Sequence, residues 1–291
     1  MPPGRGLQSG QTRTMTPGNL AEMDLALQIV EKYGDLPGLK LALVAGSVAR
    51  GIADQSSDLD LYLYWERADQ DALCHLNRLE PLGSERLVGM VTSTGVFEKH
   101  RLGNRMIDVE SVDIASLAMV VDWLDRGNAM SPAIEKTVAG LVDGLAVFGQ
   151  EELAKWQGRF RYSDALANAQ VAAHVGSLLP PCLLYKLTLG RGDVLSFSAR
   201  MSAVLLHAVA LVAAVNRAFI SVTEPKWLPW QLGRLSHLPA QMSERINTAL
   251  LHPSVEAMND LHALLVEVLD LVDSHVPDAN TRVGRFILSM G

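Results

Sequence analysis

LALVAGSVARGIADQSSDLDLYLYW, residues 41–65, is the stretch from which the reading of this chain starts. The apolar run Leu41–Ala45 meets a corner, Gly46-Ser47, followed by a short helix-compatible piece and a polar turn. A second apolar run then carries two carboxylates, Asp58 and Asp60, after ten residues counted from Ser47. Side chains alternate across a strand, so Asp58 and Asp60 face the same way. Carboxylates held side by side repel one another. A divalent cation relieves that repulsion, and Mg²⁺ is commonly held by one or two carboxylates plus substrate phosphates. Gly46 lets the backbone approach a phosphate closely, and the N–H groups after Ser47, at a helix start, favour an anion.

Around this stretch the pattern predicts a helix over Leu20–Tyr33, closed by Gly34, and strands over Leu39–Ala45 and Leu59–Trp65. Ser47–Ala53 is the short helix between those strands. Further on come a helix over Ala68–Leu79, a strand over Leu87–Thr92, and a hairpin of Val96–Lys99 with Arg105–Val112 around Leu102-Gly103-Asn104. Helices over Ile114–Arg126 and from Pro132, and a strand-like run Leu145–Phe148, complete the mixed part. Beyond about residue 150 the strand signals stop. Glu151–Phe160, Ser163–Leu178, Cys182–Leu189, Asp193–Phe219 and Pro253–Val276 suit helices, with Pro225–Pro229 as a loop. The expected organisation is a tail over residues 1–19, a mixed domain over 20–150 and a helical domain over 151–291, an α+β class overall.

The Gly-Ser corner followed by Asp-Leu-Asp resembles the nucleotidyltransferase superfamily that includes DNA polymerase β and the antibiotic nucleotidyltransferases. GSVARGIADQSSDLDL, residues 46–61, is similar to the small-molecule branch in particular, with Arg50-Gly51 and with Ser57 just ahead of Asp58. The resemblance implies a small mixed sheet packed against a helical bundle, with the active site in the cleft between them. It implies Asp58 and Asp60 as ligands of Mg²⁺, with Mn²⁺ as the alternative. Ser47 and the N–H groups beside Gly46 would grip the phosphates of a nucleoside triphosphate, ATP being the expected one, and Arg50 would contact the triphosphate. The superfamily needs a third carboxylate on a later strand. Asp108, between Ile107 and Val109, is the first choice, with Glu110 on the same face as the second. Its role is metal ligand or general base, and the two stay open. In the helical half Tyr185-Lys186, Arg191-Gly192-Asp193, Asn216-Arg217 and Lys226-Trp227 follow an order similar to that of bacterial nucleotidyltransferases with a helical C-terminal domain. By that resemblance Lys186 reaches the triphosphate, and Asp193 and Asn216 line the nucleotide or acceptor pocket. For Asn216, a hydrogen-bonding role inside the bundle is the competing reading.

Composition bounds these expectations. The chain has 291 residues, 48% of them hydrophobic, and a net charge of −7. There is no global basic footprint for nucleic acid, and an acidic protein suits a cationic acceptor. Cys74 and Cys182 have no metal-ligand spacing, and the scattered histidines form no metal motif. The first residues lack the apolar core of a signal peptide. The apolar run Ala203–Val215 is too short to span a bilayer, so a soluble, cytoplasmic protein is expected, as monomer or homodimer. The reaction expected is transfer of AMP to a hydroxyl of a small molecule such as an aminoglycoside or lincosamide, releasing pyrophosphate. The alternatives are a protein or RNA target, as in a toxin–antitoxin pair, or a non-catalytic nucleotide-binding protein.

Overall fold

The computed structural model describes residues 17–70, 73, 77–222 and 226–291, and of residues 17–19 the backbone alone. The expected tail lies, in residues 1–16, outside the described residues, as do Cys74 and His75. Of the expected helix over Ala68–Leu79, residues 71, 72 and 74–76 lie outside them too. The chain forms two compact units. One comprises the chain up to Ala118 together with Gly140–Gly158; the other comprises Met119–Ala139 and Arg159–Gly291. The sequence pattern expects one boundary near residue 150; the division by contacts is discontinuous.

The first unit is built on a six-stranded sheet in the order β3-β4-β5-β2-β1-β6. The strands are β1 (Leu39–Val44), β2 (Leu59–Trp65), β3 (Glu85–Val91), β4 (Gly95–Leu102), β5 (Arg105–Asp113) and β6 (Leu145–Phe148). β2 and β5 pair parallel, and the other neighbours pair antiparallel. Between β4 and β5, Gly103 takes φ +58, the conformation required at the first position of a tight hairpin turn. α1 (Pro17–Glu31) begins three residues earlier than the sequence pattern predicts. Its Ala26, Ile29 and Val30, with Tyr33 beyond its end, form one core with Leu59, Leu61 and Leu63 of β2, Ile107 and Val109 of β5 and Val96 of β4. Because strand side chains alternate, Asp60, Asp108 and Lys99 point to the opposite face. α2 (Gly46–Arg50) links β1 to β2. The points of division fall within α3 (Ala115–Asp125), α4 (Pro132–Asp143) and the last turn of α5 (Gln150–Arg159), the helix that follows β6.

The core face also buries charge. Glu98 is fully buried and accepts a hydrogen bond from the Tyr33 hydroxyl at 2.8 Å. Arg86 lies 3.4 Å from the other oxygen of Glu98, so the charge is paired where it is buried.

The second unit is helical among its described residues: α6 (Asp164–His174), α7 (Pro181–Leu187), α8 (Val194–Val215), α9 (Leu228–Leu232), α10 (Met242–Leu251), α11 (Val255–His275) and α12 (Arg282–Leu288). Ser163, Asp193 and Ser254 cap α6, α8 and α11 by accepting from Leu166, Ser196 and Ala257 N–H. α8 is the core helix, buried continuously from Ala208 to Val215. At 22 residues it is longer than its apolar run and is, by length and composition, able to cross a membrane; 61% of that window is buried inside the fold. α9 begins at Leu228, so Pro229 lies in a helix rather than in the expected loop. Residues 223–225 of that segment lie outside the described ones. The apolar periodicity does not mark α10 or α12. α12 carries Gly284 in its middle, a poor helix former, but a Cβ there would lie 2.8 Å from Val175 Cγ2.

His174 and His207 meet with Nδ1 atoms 2.9 Å apart in this unit. One ring must be an unprotonated acceptor. Burial, then the neighbouring imidazole, pushes His174 down to about 4. The folded protein thus refuses a proton that the unfolded chain accepts once pH drops below about 6.5. Stability is full above that value and is lost as pH falls from 6.5 towards 4. Each tenfold drop in proton affinity corresponds to about 1.4 kcal/mol, and partial exposure trims the total to about 2 kcal/mol. Urea melts across this range should show a shallower pH slope for His174→Gln than for the parent chain.

Candidate active site

The Gly-Ser corner and the aspartates meet because β1 runs antiparallel to β2. Val44 stands opposite Leu61, and Ala45 N–H donates to the Asp60 carbonyl at 2.9 Å. The end of β1 therefore lies beside the start of β2. Gly46 takes φ +63, and a Cβ built on it would fall 2.0 Å from Asp60 Oδ2. Only glycine satisfies both the left-handed backbone and the carboxylate pressed against its α-carbon.

The third acid arrives through the parallel pair. Asp60 is in register with Asp108, and Tyr62 with Glu110. Asp108 in turn stands opposite Lys99 of β4. Lys99 Nζ lies 3.0 Å from Asp108 Oδ1, hydrogen-bonds Oδ2 at 3.3 Å and lies 3.5 Å from Asp58 Oδ2. The hydrogen bond to Asp108 foremost, with the charges of Asp108 and Asp58, raises the Lys99 pKa and keeps the ammonium charged. Glu110 is engaged differently, in a hydrogen bond with the Tyr62 phenol. Burial, followed by the charge of Glu110, holds that phenol well above its ordinary pKa. Of the two candidates for the third carboxylate, Asp108 is the one beside the aspartate pair.

Among the described residues no three His, Cys, Asp or Glu side chains converge as a metal-binding group. Within the expected set, Asp60 stands level with Asp108 across the parallel pair, and Lys99 lies between Asp108 and Asp58. Asp58 and Asp60 still offer the hard oxygen donors that suit Mg²⁺, which needs only one or two carboxylates when substrate oxygens and water complete its shell.

The other expected residues fall into place individually. Ser47 sits in α2, half-buried, one residue beyond Gly46. Arg50 Nε pairs with Asp143 Oδ2 at 3.0 Å, both side chains mostly buried, which fastens α2 to the end of α4. Ser57 closes a local turn: its hydroxyl donates to Asp54 Oδ1 at 3.0 Å and accepts from Asp54 N–H at 2.9 Å. Its carbonyl accepts from Arg105, which also pairs with Glu22. Lys186, Asp193 and Asn216 belong to the helical unit. Lys186 lines a cavity of about 360 Å³ with Cys182, Tyr185 and Met258. Asp193 is the N-cap of α8. The Asn216 amide donates to the carbonyls of Val212 and His237 and accepts from the N–H groups of Ser236 and His237. That uses both its donors and both its acceptor positions within the unit.

Lys99 is the site residue that motif reading overlooks. A signal for it exists: counting back from the two-residue turn at Gly103-Asn104 places Lys99 opposite Asp108.

No protein-family model matches the chain, and no curated protein matches it. Among solved structures it is similar to a nucleotidyltransferase-like protein from Exiguobacterium sibiricum 255-15. The identity is 15%, over 91% of this chain and 78% of that one, with a TM-score of 0.42.

Two substitutions test this local geometry. Gly46→Ala should lower stability by about 2 kcal/mol or more, since it combines a strained backbone with a clash. Asn216→Ala should lose about 1–3 kcal/mol by leaving the Ser236 and His237 N–H groups without their acceptor. Urea denaturation of the full chain reads both.

Proposed function

We propose that the sheet unit carries out divalent-metal-dependent transfer of a nucleoside monophosphate, AMP from ATP foremost, to a hydroxyl of a small molecule. The observation that carries this reading is the Asp60 carboxylate lying against the bare α-carbon of Gly46. It joins the glycine corner and the aspartate pair into one place, as a phosphate-approaching backbone beside a cation-holding carboxylate requires.

In this reading Asp58 and Asp60 hold the cation, which when bound neutralises the phosphates and aligns the attacking and leaving oxygens. The backbone at Gly46 and Ser47 receives the triphosphate. The acceptor oxygen attacks the α-phosphorus, the bond to the bridging oxygen of pyrophosphate breaks, and pyrophosphate leaves with that electron pair. Asp108, level with Asp60 across the parallel pair, takes the hydroxyl proton. Hydroxylated antibiotics such as aminoglycosides and lincosamides are the acceptors to try first. The net charge of −7 suits a cationic acceptor.

A second reading, a nucleotide-binding protein without turnover, is favoured by the Lys99 contact with both Asp58 and Asp108, which gives the carboxylates a cation of their own. Pyrophosphate release from ATP, GTP, CTP and UTP with Mg²⁺, against a panel of hydroxylated antibiotics and sugars, separates the two. Acceptor-dependent release that falls about 100-fold or more in Asp60→Asn is the expected result. Mg²⁺-dependent nucleotide binding without release from any pair would favour the second reading.

A further inference from the structure

Asp60 and Asp108 stand level on adjacent strands, and Lys99 bridges Asp108 to Asp58. The cross-strand pair between Lys99 and Asp108 stabilises the β4–β5 pairing locally, as directly opposed opposite charges do. Lys99 does more than that. Its ammonium leans past Asp108 to within 3.5 Å of Asp58, a residue that is not its strand partner. The two ends of this bridge are unequal. Towards Asp108 it is shorter, 3.0 Å, and reinforced by a hydrogen bond. Towards Asp58 it is longer, and Asp58 is the more open side chain, 40% exposed against 23% for Asp108. A cation arriving from solvent meets the weaker, wetter end of the bridge first.

We propose that Lys99 is a resident counter-ion of this carboxylate group, anchored on Asp108, and that a divalent cation must displace it from Asp58 to bind. The inference rests on the reading of Asp58 and Asp60 as cation ligands. It gives Asp108 a second role, that of holding the ammonium in place rather than completing the metal shell. Lys99 is thus a positioning residue that weakens the site for free metal. The electrostatic reasoning is direct. An ammonium beside the carboxylates lowers their attraction for another cation, and removing it restores the full negative charge to the site.

The test is direct binding of Mn²⁺ alone to the full chain, read by calorimetry and by the electron paramagnetic resonance of free Mn²⁺, with no nucleotide present. Lys99→Met and Lys99→Gln should each bind Mn²⁺ about tenfold more tightly than the parent, a gap of about 1.4 kcal/mol. Lys99→Arg, which retains the charge, should stay near the parent value. Asp58→Asn introduced into Lys99→Met should remove the gain. A purely structural lysine would leave Mn²⁺ affinity unchanged or weaken it through loosened strands. Unchanged or weaker binding in both neutral variants overturns the proposal, as does a gain that survives Asp58→Asn or an absence of Mn²⁺ binding in every variant. Pyrophosphate release is recorded separately. Tighter Mn²⁺ binding without release upholds Lys99 as counter-ion while the transferase reading falls. Release from the parent with Mn²⁺ affinity indifferent to Lys99 does the reverse.

Discussion

β2 and β5 run parallel, and from that pairing follows everything gathered at the acidic end of the sheet. It sets Asp60 level with Asp108. The antiparallel neighbours then bring in the rest: β1 delivers Gly46 to the Asp60 carboxylate, and β4 delivers Lys99 to Asp108. Were β5 to slip by one residue, every side chain on it would change face. Asp108 and Glu110 would then enter the core beneath α1, while Ile107 and Val109 would face water. Burial of the aliphatic face is therefore what enforces the position of the acids on the other.

Much of this was legible in the residues. The Gly-Ser corner, the two aspartates at alternate positions and the apolar runs around them announce a strand, a turn and a second strand, and the structure places them so. The hairpin at Gly103-Asn104 was equally plain. Its register was also available, and with it the partnership of Lys99 and Asp108, but motif reading attends to acids and glycines and passes over a lone lysine. Other features had no local signal. Arg50 finds Asp143, a partner 93 positions away, and no periodicity reveals such a pair. α12 hides behind Gly284, whose reason is the closeness of Val175.

The polar residues of the helical unit carry a related lesson. Asp193 and Asn216 stand out in sequence because they border a long apolar helix, and such positions attract functional readings. Their side chains close hydrogen bonds that the backbone needs: one caps the start of α8, and the other ties its end to the segment at Ser236-His237. Helix ends leave backbone groups without partners, and a polar side chain there answers that need first. Glu110 behaves similarly on the sheet, where the Tyr62 phenol engages it.

The discontinuity of the sheet unit bears on how the chain is made. β1 lies inside the finished sheet only because β6 pairs with its outer side, and β6 is encoded about a hundred residues later, after Met119–Ala139 has departed into the helical unit. During synthesis from the N-terminus, five strands emerge before the sixth exists. Through that interval β1 is an open edge with free backbone groups, and Leu41 and Leu43, fully covered in the end, have yet to gain all their cover. An open apolar edge invites pairing with other chains. The nascent protein therefore passes through a window of association risk that closes when Leu145–Phe148 leaves the ribosome.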